Sequence, residues 1–319
     1  MADTSRIAPE LVSGLEFFPD LDFSGGMAPF REGMAMRPPM PVPPALAVVT
    51  CEERHIPGPA GAPDVRVLHY TPPGNTTASG PRPALLHIHG GGFVLGNPEL
   101  NDLSSRAAAL AQDCVVVSVD YRLAPEAVWP AALEDCYAAL IWLAENAADL
   151  GIDPARVAVA GESAGGGHAA ALALHARDKG GPAICFLLLD APMLDDRTGT
   201  SHDPHPHCGQ FVWTPDKNRF GWGALLGMVP GGPDVPAVAV PARAADLAGL
   251  PPSFISVGAL DLFLEEAMEW TRRLTRAGVA ADLHVIAGGY HGFGVAAGSP
   301  QAQSVQALRH DALKRAFSQ

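Results

Sequence analysis

The sequence predicts an α/β fold in which a mostly parallel central sheet is flanked by helices. Short apolar runs alternate with helix-length amphipathic segments, which is typical of parallel sheets with helical crossovers. The run at residues 114–119 (CVVVSV) is almost continuously apolar, as expected of a strand buried on both faces of such a sheet. Glycine-rich and polar loops follow several runs, at the strand ends where open α/β sheets place their ligands.

The first part of the chain supplies strands through alternating or buried apolar residues. Residues 48–56 and 65–70 alternate well enough to be strands and are separated by a Gly/Pro turn. Residues 84–89 predict a buried strand that runs into three glycines, and residues 100–111 suit a helix. Residues 131–148 carry apolar side chains at helical spacing, which predicts an amphipathic helix.

The same rhythm continues to the C-terminus with one interruption. The remaining apolar runs predict strands at residues 157–160, 184–189, 254–257 and 282–286. The segments between and after them predict helices at residues 164–177, 263–277 and 302–317. Strands and helices therefore alternate through most of the chain.

The alternation stops between residues 193 and 240. Residues 195–216 are polar and rich in His and Pro, and residues 218–226 predict a short helix, so this segment is expected to be an insertion outside the sheet. Residues 1–46 also contain no core element. Eight large apolar side chains there would be unfavourable in water, which predicts an arm packed over the body. These are Phe17, Phe18, Phe23, Met27, Phe30, Met34, Met36 and Met40.

Composition excludes some partners and compartments. The 319 residues are 48% hydrophobic and carry a net charge of −13, which disfavours nucleic acid and anionic membrane surfaces because both would repel the protein. The five cysteines are scattered, which favours free thiols in a reducing compartment. The N-terminus does not have the pattern of a signal peptide, and no apolar run approaches the length of a membrane span. We therefore expect a soluble, cytoplasmic protein.

The sequence GESAG at residues 161–165 matches the G-x-S-x-G pattern of a nucleophile elbow. Such a serine stands on a sharp strand-to-helix turn, where a side chain at Gly161 or Gly165 would clash with neighbouring backbone. The turn also directs the N-terminus of the following helix at the reacting centre, where a negative oxygen is favoured. Ser163 is therefore a candidate nucleophile, although an ordinary glycine-rich turn would look similar.

The glycine triplet after the strand at 84–89 can supply hydrogen-bond donors. Successive glycines allow backbone N–H groups to turn toward one point, and with the N–H of Ala164 they could bind the oxyanion of a tetrahedral intermediate. A phosphate-binding loop is the alternative, but the spacing of the known phosphate-binding motifs is absent.

Asp261 and His291 follow the predicted strands at 254–257 and 282–286. A serine needs an imidazole to take its proton, and the imidazole needs a carboxylate to fix its tautomer. Asp261 would otherwise be a helix cap; Asp246 and Asp282 follow a strand less directly. His284 lies within a predicted strand. We therefore expect Ser163, Asp261 and His291 to act as nucleophile, acid and base.

Together these motifs resemble the hormone-sensitive-lipase family of bacterial carboxylesterases (bacterial family IV), within the α/β-hydrolase superfamily. The order Ser, Asp, His is that of α/β-hydrolases. The resemblance runs from about residue 65 to the C-terminus. Its motifs are HGGGF at 89–93, DYRLAPE at 120–126, GESAGG at 161–166, Asp261 with two glutamates at 265–266, and HGF at 291–293. Departures are Glu162, where one large branch of the family has Asp, and Leu262, where Pro is frequent.

The resemblance implies an α/β-hydrolase core with a helical cap. Residues 1–46 would be the N-terminal arm of the cap and residues 193–240 its insertion, while residues 47–192 and 241–319 would form the catalytic core. Oxyanion donors are implied at Gly91, Gly92 and Ala164. A homodimer through the edge strand 282–286 is also implied.

The activity implied is hydrolysis of short- to medium-chain carboxylic esters through an acyl-enzyme, with no cofactor. An amidase or peptidase using the same triad, or a degenerate ligand-binding relative, stays open. Candidate pocket residues are aromatic: Phe17, Phe18, Phe93, Phe211, Trp213, Phe220, Trp222 and Phe293.

Several polar residues are expected to support the site. Arg122 and Glu126 are expected to pair beneath it, and His87 and His89 to anchor the glycine loop. Glu162 is expected to influence how the elbow bonds to nearby loops, and His168 to be packed on the helix after it. Residues 202–208 (HDPHPHC) offer ligand types that suit zinc, but a solvated loop is the preferred interpretation, so no metal is expected.

Overall fold

The structure is a computed structural model that describes residues 3–18, 23, 27, 31–33, 40–74 and 80–318. Within this range the chain forms one eight-stranded sheet. Its strands are β1 (Thr50–Ile56), β2 (Val65–Thr71), β3 (Arg82–Ile88), β4 (Val115–Asp120), β5 (Ile152–Glu162), β6 (Phe186–Asp190), β7 (Ser253–Gly258) and β8 (Ala281–Ile286). Every predicted strand is present.

The spatial order of the sheet is β1-β2-β4-β3-β5-β6-β7-β8. β1 pairs antiparallel with β2, and β2 pairs antiparallel with β4. All pairings from β4 to β8 are parallel. The sheet is therefore mostly parallel, which confirms the predicted fold class, and the loops after β3, β5, β7 and β8 lie at one edge.

Helices cover both faces of the sheet. They are α1 (Asp102–Gln112), α2 (Ala131–Glu145), α3 (Ala147–Leu150), α4 (Ala164–Lys179), α5 (Pro215–Leu226), α6 (Leu264–Arg276) and α7 (Pro300–Phe317). One face packs against α2, α4 and α6 in the largest apolar cluster. The opposite face packs against α1 and α7. This arrangement buries the central strands on both sides, as their continuous apolar runs predict.

Two element boundaries differ from the predictions for local reasons. β5 begins at Ile152 instead of residue 157, because Ile152 pairs with Arg82 on β3 before the regular register starts. The helix predicted over 131–148 divides at Asn146, whose side-chain amide donates to the Trp142 carbonyl and ends the first segment.

Two segments outside the sheet pack over its carboxyl edge. A 3₁₀ helix at Pro9–Phe17 buries Leu11, and Phe23 and Met27 are also buried. Of the eight arm residues, Phe30, Met34 and Met36 lie outside the described residues. The insertion contains α5, which begins three residues earlier than predicted with Thr214 as its N-cap.

All five cysteines are free thiols. Across the described residues, no helix combines the length and apolar character needed to cross a membrane.

Candidate active site

Ser163 stands on a strained turn between β5 and α4. Its φ is 55° and its ψ is −121°, a conformation that L-residues rarely adopt. A Cβ on Gly161 would overlap the Gly165 carbonyl, and one on Gly165 would overlap the carbonyl of Ile88. The turn is fixed by the Ser163 N–H, which donates to the Asp190 carbonyl at 2.8 Å. The two glycines flanking the serine are therefore required by close backbone approach, as the pattern predicts.

The structure brings Ser163, His291 and Asp261 together from three separate loops. His291 Nε2 lies 2.9 Å from the hydroxyl oxygen of Ser163, and His291 Nδ1 lies 2.8 Å from Asp261 Oδ2. The second oxygen of Asp261 accepts the Phe263 N–H at 2.9 Å, which leaves Oδ2 free to face the imidazole. This geometry can transfer a proton from the hydroxyl to the ring.

Charge and burial act in opposite directions on His291. Burial of the ring lowers its pKa, but the adjacent carboxylate of Asp261 favours the imidazolium, and the net result is a pKa above the usual 6.5. Phe263 packs edge-on against the ring, with centroids 5.2 Å apart. The imidazole is thus held in a dry setting that strengthens its interaction with the carboxylate.

The competing acid and base candidates lie elsewhere. Asp282 pairs at the surface with Arg315, and Asp246 accepts the N–H of Ala248. His284 stacks on Phe254 within the sheet. None of them is bonded to the Ser163–His291 pair.

The glycine loop presents free donors beside Ser163. Within the described part of the chain, the N–H groups of Gly91 and Gly92 bond to no acceptor. The Gly91 carbonyl accepts the N–H groups of Val94 and Leu95 at 3.1 and 2.9 Å, which closes the loop. Ala164 is the first residue of α4, so its N–H has no acceptor within the helix.

Histidines beneath the glycine loop are buried and neutral. His89 Nδ1 bonds to the Gly90 carbonyl at 2.8 Å and its ring stacks on Tyr121, so it anchors the loop as predicted. Burial lowers the pKa of His89 to about 4. His168 packs between Phe93 and Tyr121, and burial lowers its pKa to about 3.

The prediction that Arg122 pairs with Glu126 is wrong. Arg122 instead donates from Nε and Nη2 to the carboxylate of Asp135, at 3.0 and 2.8 Å. Glu126 pairs with Arg31, which also donates to the carbonyls of Val94 and Ala124. Asp135 lies on α2, where its carboxylate is 2% exposed and offers Arg122 a drier partner than the exposed Glu126.

Arg31 has no signal in the sequence that marks it as a partner of the loop after the glycine triplet. It lies 63 residues before Val94 and 93 residues before Ala124. A cation in an arm rich in Gly, Pro and Met is ordinarily expected to face solvent. Only the packing of the arm over the body reveals this support.

Glu162 bonds to His87 on β3, as a link between the elbow and the neighbouring strand. Both carboxylate oxygens lie 3.0 to 3.1 Å from His87 Nε2, and His87 Nδ1 lies 2.9 Å from the Ser118 hydroxyl. Burial raises the pKa of Glu162, but the interaction with His87 and the positive charge of Arg309 outweigh burial, so the pKa lies below its usual value. His87 therefore supports the elbow and not the glycine loop, contrary to the prediction.

The aromatic residues predicted to line a pocket do not form a single group in the structure. The ring centroids of Trp213 and His291 lie 6.5 Å apart, and Phe220 packs on Phe23. Phe93 and Trp222 contact each other and are buried. A second group surrounds Tyr290 and consists of Phe18, Phe211 and Phe293. Phe17 is 68% exposed.

The His-rich loop at residues 202–208 contains few internal contacts. The rings of His205 and His207 touch, and His205 Nδ1 lies 3.6 Å from the Cys208 sulfur. Over the residues that the structure describes, no three or more His, Cys, Asp or Glu side chains are placed to hold a metal ion.

Comparison with known proteins shows that this chain is similar to esterases over most of its length. A family described as having the alpha/beta hydrolase fold matches residues 85–295. The sequence is 38% identical to esterase LipI of Mycobacterium tuberculosis over 292 residues, which cover 90% of this chain and 88% of LipI. It is 38% identical over 284 residues to carboxylesterase NlhH of the same organism, covering 86% and 85% of the two chains.

Solved structures of esterases are also similar to this chain. A bacterial heroin esterase superposes with a TM-score of 0.87 and 35% identity, and 98% of each chain is covered. Esterase LipW of Mycobacterium marinum superposes with a TM-score of 0.84 and 33% identity, covering 98% of this chain and 97% of LipW.

Proposed function

Because the chain belongs to the alpha/beta hydrolase fold family, and relatives similar over most of its length are named esterases, we propose that Ser163, His291 and Asp261 hydrolyse carboxylic esters through an acyl-enzyme intermediate. The protein is a carboxylic ester hydrolase. The observation that carries the catalytic assignment is the continuous relay from the serine hydroxyl through His291 to Asp261, with bonds of 2.9 and 2.8 Å.

Acylation begins when His291 takes the proton of the Ser163 hydroxyl as the oxygen attacks the ester carbonyl. The new imidazolium is stabilised by Asp261, which stays ionised and holds the Nδ1–H tautomer. The carbonyl oxygen becomes an oxyanion facing the N–H groups of Gly91, Gly92 and Ala164. One such donor contributes about 3–4 kcal/mol to the transition state.

The intermediate collapses when His291 returns the proton to the alkoxide leaving group. The alcohol departs, and the carboxylic acid remains esterified to Ser163. Water then enters beside His291, which takes its proton and directs the hydroxide at the acyl carbonyl. A second oxyanion forms in the same hole, and Ser163 leaves as the protonated hydroxyl.

Short- to medium-chain esters are the proposed substrates, and the side chains around the relay support this choice. Trp213 and Phe263 flank His291 with apolar rings, and the insertion packs closely over the glycine loop. Apolar walls favour an acyl chain by burial, while large rings restrict its length. No residue of this chain is assigned to a cofactor.

The domain division and the assembly are further parts of the proposal. The core comprises residues 47–192 and 241–319, and the cap comprises residues 1–46 and 193–240. Five free thiols support a reducing, cytoplasmic location. β8 is an edge strand, and its pairing with a second copy of β8 would form a homodimer. Light scattering of the purified protein tests the dimer.

A graded series of p-nitrophenyl esters, with a matched p-nitroanilide, tests the reaction. We expect the acetate and butyrate esters to be hydrolysed fastest, long-chain esters slowly, and the anilide far more slowly than its ester. A fluorophosphonate probe should label Ser163 and stop turnover. Failure of both labelling and ester turnover would favour a binding protein, and faster cleavage of the anilide would favour an amidase.

A further inference from the structure

Gly92 lies inside the turn that the Gly91 carbonyl closes, and contacts from outside the loop restrain it further. Its φ is 60°, and glycine populates both signs of φ with little steric preference. The bond from the Val94 N–H to the Gly91 carbonyl closes a turn around Gly92 and Phe93, but among the described residues no N–H donates to the carbonyl of Gly92. A hydrogen-bond donor aimed at a developing oxyanion must nevertheless be held in place before the reaction.

Two groups from the insertion supply that restraint by touching Gly92 directly. The six-membered ring of Trp213 covers its Cα so closely that a Cβ there would overlap the ring. Gly221, on α5 of the same insertion, lies against the Gly92 carbonyl, since a Cβ on Gly221 would lie 2.6 Å from that oxygen. The Trp213 ring therefore covers one side of Gly92, and α5 covers its carbonyl.

Trp213 is itself held firmly. Its indole N–H donates to Asn218 Oδ1 at 3.1 Å, and the Asn218 amide donates to the Thr198 carbonyl at 2.8 Å. Val212 has a φ of 60°, which is strained for a β-branched residue, and the Trp213 N–H returns to the Phe211 carbonyl at 2.7 Å. Strain of this kind persists where surrounding contacts over-determine the conformation.

The residues that follow Gly221 and Gly92 make a third contact between the insertion and the loop. Trp222, which follows Gly221, packs edge-on against Phe93, which follows Gly92, with ring centroids 4.9 Å apart. Phe93 also has a positive φ, at 69°. The insertion therefore contacts two successive residues of the loop that carry unusual backbone conformations.

We propose that Trp213 and Gly221 are positioning residues that hold the Gly91–Gly92 donors in the geometry required for oxyanion stabilisation. The inference rests on the proposed function, because it assigns the loop to the oxyanion. It implies that the cap influences catalysis through these two contacts: movement of α5 away from the loop would release Gly92 and lower the rate of acylation.

A pair of glycine substitutions in α5 tests the proposal. Gly221→Ala adds a methyl group against the Gly92 carbonyl and should displace it, lowering kcat about 10- to 100-fold with little change in KM. Gly223→Ala is the matched control, since a Cβ there meets no atom closer than 3.8 Å. Both substitutions place alanine in the same helix, but only Gly221→Ala adds an atom against the Gly92 carbonyl. Gly223→Ala should therefore keep full activity.

Binding of a tetrahedral-adduct inhibitor supplies a reading that a general structural role would not change. A trifluoromethyl ketone forms an oxyanion on Ser163, so its affinity for Gly221→Ala should fall by about the same factor as kcat/KM. Equal kcat and equal inhibitor affinity in the two variants would overturn the proposal. Loss of activity with unchanged inhibitor affinity would also overturn it.

Trp213→Ala decides the question if Gly221→Ala does not fold. Loss of the ring frees the Cα of Gly92, so inhibitor affinity and kcat should fall together; unchanged inhibitor affinity would overturn the proposal. Ser163→Ala separates this inference from the proposed function. If Ser163→Ala is inactive while both cap variants behave as wild type, the cap assignment fails and the esterase assignment stands.

Discussion

Nδ1 of His291 lies 2.8 Å from Oδ2 of Asp261, and the two side chains are only 10% and 1% exposed. A carboxylate at this distance stabilises the imidazolium more than burial destabilises it, so the pKa of His291 lies above the usual 6.5. The base must be neutral to accept the proton of Ser163. Activity should therefore decline as the pH falls through this raised pKa.

Asp261→Asn tests how far the carboxylate controls the base. Without the negative charge of Asp261, burial is opposed only by the smaller effect of the Asp190 charge, so the pKa of His291 should fall and the acidic limb of the kcat/KM profile should move to lower pH. Turnover should fall about 10⁴-fold, because the amide does not stabilise the imidazolium or enforce its tautomer. The measurement is a pH–rate profile of both proteins on one ester. An acidic limb that stays in place would contradict the assignment of Asp261.

Ser163→Ala should abolish ester turnover and leave the fold unchanged. Removal of the nucleophile lowers kcat about 10⁶-fold in serine hydrolases with this relay. Among the described residues, the hydroxyl has one hydrogen-bond partner, His291, so the free energy of unfolding should change by less than about 1.5 kcal/mol. Turnover and denaturant unfolding measure the two effects. Residual turnover near the wild-type rate would exclude Ser163 as nucleophile.

Arg31→Ala should destabilise the protein and impair catalysis together. Arg31 donates to the carbonyls of Val94 and Ala124 at 3.0 and 2.6 Å, and the Ala124 N–H donates to the Phe93 carbonyl. Loss of the guanidinium leaves two carbonyls beside the glycine loop with weaker bonding, which costs about 1–3 kcal/mol. We expect a lower Tm and a several-fold lower kcat/KM.

Arg54→Ala is the control for Arg31→Ala. Arg54 pairs with Glu52 on the exposed strand β1, and surface pairs contribute about 0–1 kcal/mol. Its Tm and kcat/KM should match the wild type. An Arg31→Ala variant that behaves the same way would show that the arm does not support the loop.

Sequence patterns predict features that depend on neighbours along the chain. Strands, helices and the elbow follow from periodicity and from glycines that backbone contact requires, such as Gly161 and Gly165. The convergence of Ser163, Asp261 and His291 was also predictable, because each follows a strand and the sheet brings strand ends together.

Pairings between distant side chains were not predictable in the same way. Arg122 has acidic residues at 120, 126, 134 and 135 within reach along the sequence, and only the path of the chain into α2 selects Asp135. Gly221 looks like an unfavourable helix residue until its contact with the Gly92 carbonyl is seen. Tertiary packing decides both cases, and a local pattern does not contain it.

The last prediction concerns Glu266, a buried carboxyl on α6 that is 8% exposed. One oxygen accepts the N–H groups of Leu194 and Asp195 at 2.6 and 2.8 Å, while Oε1 is buried without a hydrogen-bond partner among the described residues. Burial, followed by repulsion from Asp195, raises the pKa of Glu266 well above the usual 4.5. The folded protein therefore keeps this proton when the unfolded chain has lost it.

This difference makes stability depend on pH in a direction that can be measured. Above about pH 4.5 the unfolded chain binds fewer protons than the folded protein at this site, so the free energy of unfolding should fall as pH rises, by about 1.4 kcal/mol per pH unit, until the folded pKa is reached. Glu266→Gln cannot ionise and should lose this slope. Glu269→Gln, at an exposed site on the same helix, should retain it. Denaturant unfolding of all three proteins between pH 5 and 8 measures the slopes, and parallel curves for wild type and Glu266→Gln would show that Glu266 is ionised in the folded state.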